Sequence, residues 1–304
     1  MVAGKRTLLM CLICSWVCLQ GTEARAVPPS EIWAPSARDQ IGAAVMASEV
    51  VQRAGGDENT LAYLSRTPRA YYFRFQLGPR QMLLKVAADG YGALMPREVA
   101  ATQFASESGW GPKFVQVADV GGVLLTERIQ GEALEAEQLR DEAILAKVLA
   151  KAALVHSYPC AGVEDPALEL IRDARLLQET LEVPNVPGAL DPALIEASIG
   201  QLEAVTKKLK PHLGLCHNRL WPENIFLDEN QNVVFVDWSE LGCGDPLIEV
   251  AKLALAAQLP PEQGPQLLQM YLNRQPSAEE TLRFEAVMGV LEVVGYDASD
   301  VRED

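Results

Sequence analysis

The chain has 304 residues, 49% of them hydrophobic, enough to bury a substantial core in one large domain or two lobes. Its net charge of −15 and pI near 4.7 argue against nucleic acid and against anionic membrane surfaces as electrostatic partners.

Taken in chain order, residues 1–26 read as a secretory signal peptide. Lys5 and Arg6 precede an apolar run from Leu8 to Leu19, and Ala24-Arg25-Ala26 supplies a small-x-small cleavage site. The run is shorter than the roughly 20 residues a spanning helix needs, so no stable membrane span is expected. Cleavage after Ala26 gives a secreted or periplasmic protein; a translation start further downstream, for instance at Met46, gives a cytoplasmic one. Residues 27–40 contain Pro and Ser and read as a linker.

Residues 41–130 are expected to form a first lobe. A helix over 41–53 is followed by two alternating apolar runs, Tyr71–Leu77 and Met82–Ala87, around Gly78-Pro79-Arg80, the pattern of a hairpin. A helix over 96–108 ends at Gly109, and a second hairpin joins Phe114–Val117 to Val123–Ile129 through Gly121-Gly122. Residues 131–295 turn helical, with apolar residues at three- and four-residue spacing over 134–156, 166–181, 192–209, 247–257, 263–273 and 277–293. A Pro-rich link lies at 183–192, and residues 296–304 form a loose acidic tail.

One segment of this second lobe breaks the helical pattern. Ile225–Asp228 and Val233–Val236 are short apolar runs around the polar cluster Glu229-Asn230-Gln231-Asn232, which predicts a β-hairpin. Pairing Ile225 with Val236 and Leu227 with Val234 brings Asn224 and Asp237 together at its open end. An amide oxygen beside a carboxylate offers hard ligands of the kind Mg²⁺ takes alongside phosphate oxygens. His217-Asn218-Arg219 enters the same place from the preceding loop.

These motifs resemble those of the aminoglycoside phosphotransferase and choline kinase family, in which His-x-Asp is followed five residues later by Asn, then by a hairpin ending in Asp-Trp, then by Gly-Asp-Pro. His217, Asn224, Asp237-Trp238 and Gly244-Asp245-Pro246 match. The resemblance implies an α+β, protein-kinase-like two-lobe fold, with a small antiparallel-sheet lobe and a larger, mainly helical lobe. It implies ATP and Mg²⁺ as cofactors, a small molecule or nucleotide as partner, and metal ligation by Asn224 and Asp237. Lys85, late in the second strand of the first hairpin, and Glu98, early in the next helix, match the pair that holds the α- and β-phosphates. Thr126–Gly131 resembles the connector between lobes, placing Glu127 and Ile129 at the adenine.

Two positions depart from the pattern. The family's catalytic aspartate, which orients or deprotonates the substrate hydroxyl, is replaced by Arg219, a group that stays protonated and has no acceptor. Leu64-Ser65-Arg66-Thr67-Pro68-Arg69-Ala70 stands where a glycine-bearing phosphate loop is expected and contains no glycine. If Arg219 lies beside Asp237, a salt bridge there would occupy the metal's position.

The remaining polar residues are read structurally: His156 and His212 as packing or helix-end residues, His217 as a loop-shaping residue, and Asp245 before Pro246 as a helix N-cap. Cys160, Cys216 and Cys243 are an odd set read as small buried side chains, with a Cys216–Cys243 disulfide as the alternative that flanks the proposed site. Two functions compete: an exported, catalytically impaired relative that binds nucleotide, metal or a metabolite, and a working ATP-dependent phosphotransferase for a small hydroxylated or aminated substrate.

Overall fold

A computed structural model describes residues 37–117, 120–160, 164–181 and 192–293. The signal-peptide reading, most of the expected linker, the link at 183–192 and the acidic tail lie outside or almost wholly outside these residues. Among the described residues, no helix is long and apolar enough to cross a membrane.

The fold is α+β, with an antiparallel sheet lobe followed by a helical region. The lobe opens on helix α1 (Ala37–Ala54) and strands β1 (Asp57–Arg66), β2 (Ala70–Leu77) and β3 (Arg80–Ala87). Helix α2 (Met95–Glu107) and strand β4 (Val123–Glu127) complete it, in the sheet order β1-β2-β3-β4. Ala43, Ala47, Val50 and Val51 repeat at helical spacing along α1 and pack against Phe73, Phe75, Met82, Leu84 and Val86 of the sheet. Because side chains alternate along a strand, burying Leu84 and Val86 under α1 turns Lys85 to the opposite face. Tyr72 and Leu124 are its neighbours in register.

Three expectations for this lobe are corrected. Helix α1 begins at Ala37, inside the expected linker. Strand β1 was not foreseen, because its burial is irregular and its register with β2 shifts twice, which erases the period-two signal. The expected strand at 114–117 contributes only an isolated bridge from Phe114 to Thr126 and one hydrogen bond from the Val115 amide to the Leu125 carbonyl, 2.9 Å.

The helical region contains α3 (Glu142–His156), α4 (Ala167–Leu181), α5 (Pro192–Lys208), α6 (Pro246–Ala256), α7 (Gly264–Leu272) and α8 (Ala278–Val293). Their shared core includes Leu149, Ile195, Ile199, Leu202, Leu253, Leu268, Val287 and Leu291. Helix α3 starts at Glu142, not at the expected residue 134, because the Asp141 side chain accepts from the amides of Ala143 and Ile144 and caps the helix there. The residues before it instead supply β5 (Gly131–Ala133), which pairs with β7 (Ile225–Asp228) and through it with β8 (Val233–Phe235). Gly131 is needed at that edge, since a Cβ would sit 2.0 Å from the Leu227 carbonyl oxygen. Strands β6 (Gly214–Cys216) and β9 (Gly242–Gly244) form a separate antiparallel pair.

The hairpin itself is one residue out of the expected register: Ile225 pairs with Phe235 and Leu227 with Val233. Asp228, the last residue of β7, closes the four-residue loop by accepting from the amides of Asn230 and Asn232, with Gln231 in the left-handed region at φ 60°. The loop coincides with the polar cluster, and the Asp228 amide donates to the Asn232 carbonyl at 3.0 Å. The cysteine expectation is corrected too. Cys160 and Cys243 form a disulfide with Cα atoms 5.6 Å apart, and Cys216 is buried and free.

Candidate functional site

The face of the sheet opposite α1 carries Lys85. Its ammonium donates to Glu98 Oε1 at 2.7 Å and lies 3.9 Å from Asp237 Oδ1, below the Tyr72 ring at 5.8 Å. Glu98 is buried on the first turn of α2, where a carboxylate is favoured by the helix dipole. Burial works against the charge on Lys85, but Tyr72, Glu98 and Asp237 outweigh it and the ammonium is pushed up to about 12. Lys85 is therefore a fixed cation, aimed across to the hairpin.

The loop after β6 is held from behind. His217 is buried; its Nε2 donates to the Val236 carbonyl at 2.8 Å and its Nδ1 accepts from the Arg219 amide at 3.3 Å. Burial holds its imidazole below the ordinary range, consistent with that neutral tautomer. Glu249, buried in α6, accepts from the amides of both His217 and Asn218 and from His156 Nε2 at 2.7 Å. His156 Nδ1 in turn meets the Tyr271 hydroxyl at 2.9 Å. Burial opposes the charge of Glu249, but the His156 hydrogen bond and the loop amide outweigh it and keep the carboxyl below its usual range. Asn218 adopts φ 66° and donates to the Glu240 carbonyl at 2.9 Å. Asp245 caps α6 through the Leu247 amide and is neutralised by Arg283, which also pairs with Asp165.

At the tip of this loop the Arg219 guanidinium faces Asp237, Nε to Oδ2 at 3.5 Å. Asn224 is tied to the same loop, donating from Nδ2 to the Arg219 carbonyl at 2.9 Å, while its own carbonyl accepts from the Val236 amide at 2.9 Å. Asp237 sits in the left-handed region at φ 60°, a conformation uncommon for a residue with a side chain. Its Oδ1 is buried and has no hydrogen-bond partner among the described residues. Burial raises the Asp237 carboxyl, but Lys85 and Arg219 outweigh that and hold it below the ordinary value.

The structure thus brings Lys85, Glu98, Asp237 and Arg219 into one cluster and places Asn224 beside it. Glu127 ends β4 and Ile129 lies between it and β5, and the Glu127 carboxylate is taken by Arg80 at 2.8 Å and Lys113 at 3.5 Å. No hydrogen bond or ion pair among the described residues joins either one to the cluster. The glycine-free segment turns between β1 and β2 with no residue at positive φ. The Thr67 amide there is spent on the Ala70 carbonyl at 2.8 Å, so that amide does not point outward to an anion.

The charge count decides what the cluster can hold. An aspartate at position 219 would set one cation, Lys85, against three carboxylates, a deficit that a dication restores. With Arg219 the same four positions hold two cations and two carboxylates. At an effective dielectric of about 20, two unit charges about 4 Å apart interact by about 4 kcal/mol, so Arg219 opposes a dication at Asp237 by that order per unit charge. The orphaned Oδ1 would accept a metal, but the guanidinium on Oδ2 does not fit a resident Mg²⁺.

Sequence reasoning missed Glu249 and Tyr72 and gave His156 only a packing role. Glu249 had a visible signal: a carboxylate four residues after the N-cap of α6, set among the apolar residues Leu247, Ile248, Val250 and Ala251. Tyr72 had none, because alternation alone does not say which aromatic in Ala70–Leu77 faces the cleft.

Residues 65–284 match the model of the phosphotransferase enzyme family, APH. Protein LicA of Haemophilus influenzae is 35% identical over 82 residues, 26% of this chain and 29% of its own length, so under a third of that relative is spanned. A choline/ethanolamine kinase family protein from Mesorhizobium loti superposes with a TM-score of 0.63 at 18% identity, covering 84% of this chain and 85% of the other. A structure of LicA in complex with AMP superposes at 0.55 and 18% identity, over 89% and 93%. At these identities the two superpositions establish a shared fold.

Proposed function

Since the chain belongs to the phosphotransferase enzyme family, we propose that it is an exported, catalytically impaired member whose interlobe cleft binds a nucleotide. Arg219 carries the reading. In phosphoryl transfer of this kind a positioned acceptor receives or orients the proton of the substrate hydroxyl. Arg219 stands on the loop where that acceptor belongs, 3.5 Å from Asp237, and has no lone pair to offer. Losing a positioned base typically slows a reaction by about 10²- to 10⁴-fold. Glu223, the nearest carboxylate in sequence, is exposed and does not take its place.

Binding is supported by the Lys85–Glu98 ion pair, built as a phosphate-holding pair should be, and by the AMP carried by LicA, which shares the fold. Export is supported by the leader-like residues 1–26 and by the Cys160–Cys243 disulfide, a bond that persists in oxidising compartments. The intact trio of Lys85, Glu98 and Asp237 favours a second reading, an active kinase for a small hydroxylated or aminated molecule such as choline.

Calorimetric titration of the disulfide-bonded protein with ATP, paired with a turnover assay against amino and hydroxy compounds, separates the two. Binding with no turnover supports the proposal. Turnover that disappears in Asp237→Ala overturns the impairment and establishes the second reading.

A further inference from the structure

We infer that the cleft binds the phosphates of its nucleotide without a divalent metal, the Arg219 guanidinium supplying the positive charge that a metal would otherwise bring. This rests on the reading of the cleft as a nucleotide site and adds how that site neutralises its ligand.

Three observations carry it. The first is the charge balance: Lys85 and Arg219 against Glu98 and Asp237 leaves no surplus negative charge to hold a dication. A nucleotide entering this site alone meets the same total charge as a nucleotide with one dication meets where position 219 is an aspartate. The second is the state of the guanidinium. Its side chain is 22% exposed, yet its guanidinium donates no hydrogen bond among the described residues, and it meets Asp237 as an ion pair, Nε to Oδ2 at 3.5 Å. A withdrawn guanidinium with planar donors to spare is suited to phosphate oxygens, which it meets two at a time. The third is the carboxylate opposite. Asp237 is flanked by Lys85 on Oδ1 and Arg219 on Oδ2, so both of its oxygens already face a cation.

A dication and Arg219 therefore compete for Asp237, whereas phosphate and Arg219 attract. Arg219 serves both partners: it rests on Asp237 and turns its free donors to the phosphates when nucleotide enters. Lys85, held by Glu98, meets the same phosphates from the sheet side.

The test is the affinity for ATP measured by calorimetry in EDTA and in Mg²⁺, for the parent, Arg219→Asp and Arg219→Met. Thermal unfolding is recorded for each variant to confirm that it is folded. The parent is expected to bind in EDTA within about threefold of its affinity in Mg²⁺, and both variants to lose about tenfold or more in EDTA, the scale of a charge-assisted contact. Only Arg219→Asp is expected to recover affinity when Mg²⁺ is added. If the parent binds only with Mg²⁺, the inference is overturned while the nucleotide reading stands. Unchanged metal-free binding in both variants also overturns it, since Arg219 is then not the cation responsible. If the parent binds under neither condition, the nucleotide reading fails and takes this inference with it.

Discussion

The loop from His217 to Arg219 has two sides that differ in kind. Behind it, Glu249 takes two loop amides and His156, His217 bridges to the Val236 carbonyl, and the hydrogen bonds close on one another. In front, Asp237 keeps an unbonded buried oxygen and faces two cations at 3.5 and 3.9 Å. Buried polar groups are costly to leave unpaired, so the rear of the loop is fixed by folding. The front is free to change its chemistry without disturbing the frame, which is how one substitution at position 219 can alter the site and leave the fold intact.

That contrast can be broken most forcefully from behind. Glu249→Ala strands two loop amides and the ring of His156, and is expected to cost about 3–5 kcal/mol, the scale of removing one partner from a buried charged network. Urea unfolding measures it; a loss below about 1 kcal/mol would show that the rear network does not hold the loop. Next comes Cys160→Ser. The disulfide joins the segment after α3 to β9 across 83 residues, and its loss is expected to lower stability by about 2–5 kcal/mol. Reduced and oxidised parent, compared in the same unfolding experiment, should differ by a similar amount.

Smaller effects are expected from the front. Arg219→Ala should change stability by less than about 1 kcal/mol, because a partly exposed ion pair contributes little. A loss as large as that of Glu249→Ala would erase the distinction between the two sides. The smallest effect is a pH dependence. The Asp237 carboxyl is held below its ordinary value of 3.8, so its contribution is fully present above that value and is lost as pH falls through the folded-state value. The stability difference between the parent and Asp237→Asn should be flat above about pH 5 and shrink in acid. A difference that grows as pH falls would reverse the sign of the shift.

Legibility varied with how local the cause was. Helices at 167–181, 192–208, 246–256 and 278–293 fell within a residue or so of their expected bounds, since their apolar spacing and caps are written in adjacent residues. Asp245 was legible as a cap for the same reason, but its buried ion pair with Arg283, 38 residues away, was not. Strand β5 was hidden because three residues, Gly131–Ala133, become a strand only when β7 offers them an edge. The disulfide partner of Cys243 could not be read, because Cys160 comes near it only after α3 packs beneath β6.

At the site, the sequence by itself determined which groups are present: a lysine and a glutamate in the first lobe, Asn224 and Asp237 around a hairpin, and a permanent cation at position 219. Those identities, with the family motifs, were enough to specify the fold and to question the catalysis. Only the tertiary structure decided that Arg219 rests against Asp237 and that Glu249 holds the loop from behind. Charge is a property of single residues, whereas pairing depends on distances set by packing between segments remote in the chain.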